Sequence, residues 1–205
     1  MTSSRTRIAL ITATLVLAGA AGCSSEVPGQ PSTAPSAPRT GPSQAGTSNS
    51  RVPQVAQPLN ADKYVANPCA SLTSAQLKEF ESNRDGTRQD FNGDPNCHWQ
   101  VGPNNDTGVG VTYARSNTDG IGRLYALNDT GWWRDGYFEP TSVQEYPAVF
   151  TDIIDKRRRG DCGLAVAVSN SLYFDVSIQS SAGDKSCVAA KNVATAVLDT
   201  IKKGA

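Results

Sequence analysis

Four cysteines, Cys69, Cys97, Cys162 and Cys187, lie in the last two thirds of a 205-residue chain. In an oxidising compartment each closed pair ties two distant segments together, so their pairing limits the fold more than any other feature. Three connectivities exist, and periodicity orders them. Between Cys162 and Val168, the residues Cys162, Leu164, Val166 and Val168 fall on one face of a strand. From Cys187 onward, Ala190, Ala194, Val197 and Ile201 recur at intervals of three and four, the stripe of an amphipathic helix. A Cys162–Cys187 bridge stapling a terminal helix onto a sheet is the simplest solution, with Cys69–Cys97 as the second pair. Cys69 precedes a helix start, where Thr73 and Gln76 have capping-box spacing and Leu72 and Leu77 sit as a hydrophobic staple. Cys97, Trp99 and Val101 alternate inward on a strand. The rival, structural zinc, lacks any C-x-x-C or C-x-x-H spacing, and no metal or other cofactor is expected.

The oxidising compartment follows from the N-terminus. Arg5 and Arg7 precede an apolar run, Ile8 to Ala21, too short to span a bilayer comfortably. Leu17-Ala18-Gly19-Ala20-Ala21-Gly22-Cys23 then matches a lipobox, although Ala20 stands where a leucine is preferred. Residues 1–22 are therefore expected to be a lipoprotein signal peptide and Cys23 the lipidated residue. Acyl chains contribute about 0.8 kcal/mol per buried methylene, enough for two or three to anchor a protein stably. Residues 24–61 carry seven prolines and no aromatic residue. Such a segment buries too little apolar area to offset its ordering entropy, so residues 23–61 are expected to be a lipidated, disordered tether ahead of one domain at 62–205. The expected location is the extracytoplasmic face of the cell membrane, with the membrane itself as partner through Cys23.

Within that domain the pattern predicts a helix over 73–82, a loop over 83–96, and strands over 97–101 and 108–115. A helix over 119–128 follows, then strands over 139–145 and 148–154 separated at Tyr146-Pro147. Strands over 162–168 and 172–179 precede the terminal helix. Short links between neighbouring strands favour antiparallel pairing. The fold class expected is α+β: a single domain with a curved antiparallel sheet of about five or six strands, helices packed on one face, and two disulfides.

Several functions are excluded or weakened. Formal net charge is zero, against the basic excess that nucleic-acid binding requires. His98 is the only histidine, and the alternation that turns Cys97 and Trp99 inward turns it outward. No G-x-S-x-G is present, and the acids Asp90, Asp94, Asp152 and Asp155 lie in polar loops, so no catalytic residue is assigned. Two features invite a binding role. Trp132-Trp133 opens a run with four aromatics in seven residues; adjacent indoles cannot both point inward, and an exposed one is a partner anchor. Lys156-Arg157-Arg158-Arg159 forms a basic loop bracketed by Asp152, Asp155 and Asp161, suited to anionic lipid heads or wall polymers.

Pro68-Cys69 before a Leu-Thr-x-x-Gln helix start, Cys97-His98-Trp99 on a strand, Tyr146-Pro147-Ala148, Cys162 opening an alternating strand and Cys187-Val188-Ala189-Ala190-Lys191 opening the last helix form an ordered set. Together with the lipobox and tether, it resembles the actinobacterial lipoproteins of unknown function typified by LprB and LprC, over about residues 62–203. The resemblance implies an exported, membrane-anchored, disulfide-bonded domain and brings no catalytic residues. The expected function is a non-enzymatic binding module of the cell envelope, monomeric, with an envelope protein, lipid or wall ligand as partner. The alternatives are a carrier of a lipid or other apolar ligand, and less favourably a cell-wall hydrolase.

Overall fold

A computed structural model describes residues 52–181 and 183–204. The signal segment, Cys23 and the first part of the tether lie outside the described residues. The described residues fall within one compact unit, and no helix among them is long and apolar enough to cross a membrane.

The first helices among the described residues are two short ones, α1 (Asp62–Ala66) and α2 (Ser74–Glu79), separated by a single 3-10 turn at Pro68–Ser71 that carries Cys69. The capping box at the start of α2 is present: Thr73 Oγ1 accepts from the Gln76 backbone N–H, and Gln76 Oε1 accepts from the Thr73 backbone N–H. Strands β1 (Thr87–Arg88), β2 (Asn96–Val101) and β3 (Thr107–Tyr113) precede helix α3 (Gly122–Asp129). Strands β4 (Tyr137–Val143), β5 (Tyr146–Asp152), β6 (Asp161–Ala167) and β7 (Tyr173–Gln179) lead to the terminal helix α4 (Ser186–Gly204).

The seven strands among the described residues join one antiparallel sheet in the order β1-β2-β3-β7-β6-β5-β4. The sheet thus has one or two strands more than expected, because the two-residue β1 is too short to show a period in sequence. Its outermost strands are β1 and β4, and Pro140 stands in the middle of β4.

Alternation gives the sheet two unlike faces. Trp99, Val111, Tyr113, Leu164, Val166, Phe174, Val176 and Ile178 are fully buried on one, against Ala190, Ala194, Val197, Leu198 and Ile201 of α4. Burying one such large aliphatic or aromatic side chain contributes roughly 1.5–3 kcal/mol, so this layer holds the domain together. Both disulfides reinforce it. Cys69 joins Cys97, fixing the 3-10 turn to β2, and Cys162 joins Cys187, fixing β6 to the first turn of α4. The short α3 stands on the opposite face, where Tyr125 meets Phe138 of β4 edge-on at 5.0 Å.

Two local expectations change. The break expected at Tyr146-Pro147 falls two residues earlier, at Gln144 and Glu145, which adopt left-handed φ of 48° and 72°. A two-residue hairpin turn needs positive φ at both positions, normally a task for Gly, Asn or Asp. Here the Gln144 side chain is fixed from α4, donating to Asp199 at 2.7 Å and accepting from Lys202 at 2.8 Å. Packing also begins before residue 62. Val55 is buried and donates its backbone N–H to Asn170 Oδ1, the Leu59 N–H reaches the Val168 carbonyl, and the Tyr146 hydroxyl donates to the Gln57 carbonyl. The end of the expected tether is part of the domain, since Val55 and Leu59 supply the apolar contacts its proline-rich composition concealed.

Candidate functional site

The two sequence features singled out for binding come together at one end of the molecule. Asp155, just ahead of the basic run, donates its backbone N–H to the Asp135 carbonyl in the loop that follows Trp132-Trp133. Gly136 permits this approach: a Cβ there would overlap the Asp152 carbonyl and the Ile153 backbone. The adjacent indoles divide their roles. Trp133 packs inward, stacked on Phe138 with its Nε1–H donating to the Leu124 carbonyl at 3.4 Å, while Trp132 is 57% exposed. Beside Trp132 stand Ile153 and Ile154, 52% and 48% exposed. The three border a depression of about 440 Å³ together with Arg134 and Asp135.

The basic run also divides. Arg157 is committed to the fold: its guanidinium bonds Asp155 at 2.7 Å and Glu139 at 2.8 Å and lies 4.1 Å over the Tyr137 ring. Its hydrogen bonds to Asp155 and Glu139 hold its pKa above the ordinary arginine value, and the same contact holds the Asp155 carboxyl below the usual carboxylate range. Lys156 is half-buried, and Arg158 and Arg159 are exposed. Of the six residues predicted for binding, Trp132, Arg158 and Arg159 face solvent, Lys156 is half-buried, and Trp133 and Arg157 are engaged in the fold.

A second concavity was not anticipated from the sequence. The face of the sheet opposite α4 forms a groove of about 560 Å³ over β2, β3 and β7. His98 points into it, as its outward register requires, with its Nε2 3.1 Å from Gln100 Nε2. Asn96 donates to Thr112 Oγ1 at 2.7 Å across the β2–β3 pair. At the rim, Asp94 accepts from the backbone N–H and hydroxyl of Ser116, Asp90 pairs with Arg88, and Phe91 is exposed.

Asp175, at the centre of β7 between Thr112 of β3 and Ala165 of β6, lines the groove floor. Its residue surface is partly exposed, yet Oδ1 is fully covered and makes no hydrogen bond among the described residues. Desolvation pushes this carboxyl up to about 7; the charge of Asp152 adds to the rise and the Leu164 backbone N–H opposes it. Tyr173 alongside is pushed up to about 12, mainly by burial and secondarily by Asp175. Aspartate is depleted from strand interiors, and an Asp inside the alternating run Leu172 to Ile178 was the one signal in the sequence that could have marked this groove. No group of three His, Cys, Asp or Glu among the described residues is placed to hold a metal ion.

Comparison with known proteins adds a family and nothing nearer. A family model described as a protein of unknown function, DUF3558, matches residues 18–200. No curated protein and no solved structure matches the chain.

Proposed function

The chain belongs to the DUF3558 family of proteins of unknown function, and on that premise we propose that it is a lipoprotein, anchored through Cys23 on the extracytoplasmic face of the cell membrane, whose domain is a non-enzymatic binding module of the envelope. The narrower kinship with LprB- and LprC-like lipoproteins belongs to the same proposal. The observation that carries the binding role is the exposure of Trp132, Ile153 and Ile154 around one depression that Arg134 also lines, with exposed Arg158 and Arg159 in the same β5–β6 connection as the two isoleucines. Exposed large apolar side chains on loops that also carry unburied cations suit an anionic bilayer: the apolar groups enter the interface and the arginines meet lipid phosphates. A soluble wall polymer would use the arginines but not two isoleucines.

The alternative of an apolar carrier fits less well, because the layer between the sheet and α4 is filled by Trp99, Tyr113, Leu164, Leu198 and Ile201. The tether suits the surface role. Stretched as polyproline at about 3.1 Å per residue, the 28 residues between Cys23 and Val52 would reach about 90 Å, which would leave the domain within reach of its own membrane.

Two experiments test this reading. Metabolic labelling with palmitate marks the wild-type chain and not Cys23→Ala; equal labelling of both ends the anchor. The Cys23→Ala chain, freed of acyl groups, binds vesicles containing phosphatidylglycerol at low salt and not vesicles of phosphatidylcholine alone. At about 1 kcal/mol per basic residue, Arg158→Ala with Arg159→Ala weakens that binding on the order of 30-fold, and Trp132→Ser weakens it further. Binding unaffected by all three changes removes this end of the molecule from the proposal.

A further inference from the structure

The sheet-face groove has a chemistry of its own, and it lies on elements other than those of the Trp132 end. Its lining among the described residues includes three carboxylates, Asp90, Asp94 and Asp175, and no lysine or arginine. Two of the three are already satisfied, Asp90 by Arg88 and Asp94 by Ser116. Asp175 has no cationic partner among the described residues. It stands in the middle of a seven-stranded sheet; its Oδ1 is covered and without a donor, and the partly exposed remainder of the residue meets the groove. A part-buried carboxylate with no cation beside it is poorly solvated, and a cation bound on its groove side relieves that cost.

The surroundings narrow the ligand. Gly110 of β3 faces the groove, where a Cβ would overlap the Ser177 hydroxyl, so the floor beside Asp175 is held low. Thr112, Ser177 and Gln179 supply neutral hydrogen-bonding groups around it, and Tyr173 and exposed Phe91 supply aromatic surface. Aromatic faces and a carboxylate, with no lining cation to compete, are the components of a site for an ammonium or guanidinium group. The volume of about 560 Å³ lies within the range of small-molecule sites.

We infer that this groove binds a small organic cation, an amine or guanidinium carried on a compact polar molecule, with the Asp175 carboxylate as its counter-ion and Tyr173 and Phe91 as its walls. The cation supplies the charge that the fold withholds from Asp175. Neutral sugars and anions are refused, the first for want of charge and the second by the three carboxylates.

Arginine amide serves as the probe, and citrulline amide as its neutral counterpart of nearly the same shape. Calorimetric titration of the full-length protein at pH 8 and low salt gives saturable binding of arginine amide with a dissociation constant below about 1 mM, equivalent to about 4 kcal/mol. Citrulline amide does not bind. Asp175→Asn weakens the arginine complex at least tenfold. Ser177→Lys, which places a cation two residues along the same face, abolishes it without loss of the folded state. Equal binding of both amides, no saturable binding of either, or an Asp175→Asn protein that binds as wild type does overturns the assignment.

Discussion

Replacing Asp175 with asparagine raises the melting temperature at pH 8 by about 6–9 °C and leaves it nearly unchanged at pH 4. The folded-state carboxyl titrates near 7, against 3.8 for the free side chain. A folded pKa above the unfolded one means that the native state holds its proton more tightly. The stabilisation linked to that proton is complete below about pH 4 and is lost as the pH rises through 7. At about 1.36 kcal/mol per pH unit, a rise of that size corresponds to about 4 kcal/mol. Contact with groove water reduces this to roughly 2–3 kcal/mol. Asparagine keeps the shape and never ionises, so it recovers that amount where wild-type Asp175 is charged. The measurement is the difference in melting temperature between variant and wild type across pH, in which every other titrating group cancels. A difference that is flat with pH, or an asparagine variant less stable at pH 8, shows that the fold already compensates the Asp175 charge.

Removing the Cys162–Cys187 bridge by paired substitution to alanine costs about 3 kcal/mol, because the unfolded chain regains the freedom of a 25-residue loop. With a urea dependence of about 2 kcal/mol per molar, the midpoint falls by about 1.5 M. This bridge joins β6, near the middle of the sheet, to the first turn of the helix that covers the core, so its loss also loosens the α4 contacts with Leu164, Val176 and Ile178. Equilibrium unfolding of the double variant beside the oxidised wild type measures the shift. An unchanged midpoint means that the helix is held by packing alone.

The parts of this architecture written locally were legible. Cys162 and Cys187 each stand on a clear period, two for the strand and three to four for the helix, and both periods point inward, so the pair now seen was the simplest of three connectivities the sequence left open. The α2 start was legible because a capping box is a contact between residues three apart. The Gln144-Glu145 turn was not, since its left-handed backbone is held by Asp199 and Lys202 on a helix more than fifty residues away. The groove escaped for the same reason. Asp94, His98 and Thr112 are ordinary outward positions of separate segments, and the β3–β7 pairing that brings Asp175, the one unusual strand residue, beside them crosses more than sixty residues of chain. At the Trp132 end the sequence supplied the residue types but not their division of labour. Whether a tryptophan or an arginine is structural depends on Phe138, Glu139 and Tyr137, which alternation places without saying what they touch.

The outermost strands of the sheet carry a consequence for the proposed anchoring on a membrane surface. Proteins confined to two dimensions meet copies of themselves far more often than free ones do, and an open antiparallel sheet is a template for strand addition along each unpaired margin. Here one margin is β1, only two residues long, and the other is β4, where Pro140 offers no N–H to an incoming strand. Neither margin gives a second copy a continuous ladder to extend. On a membrane, as proposed, crowding would therefore raise the encounter rate of these domains without offering them a way to polymerise edge to edge, and each would present its groove and its apolar end separately.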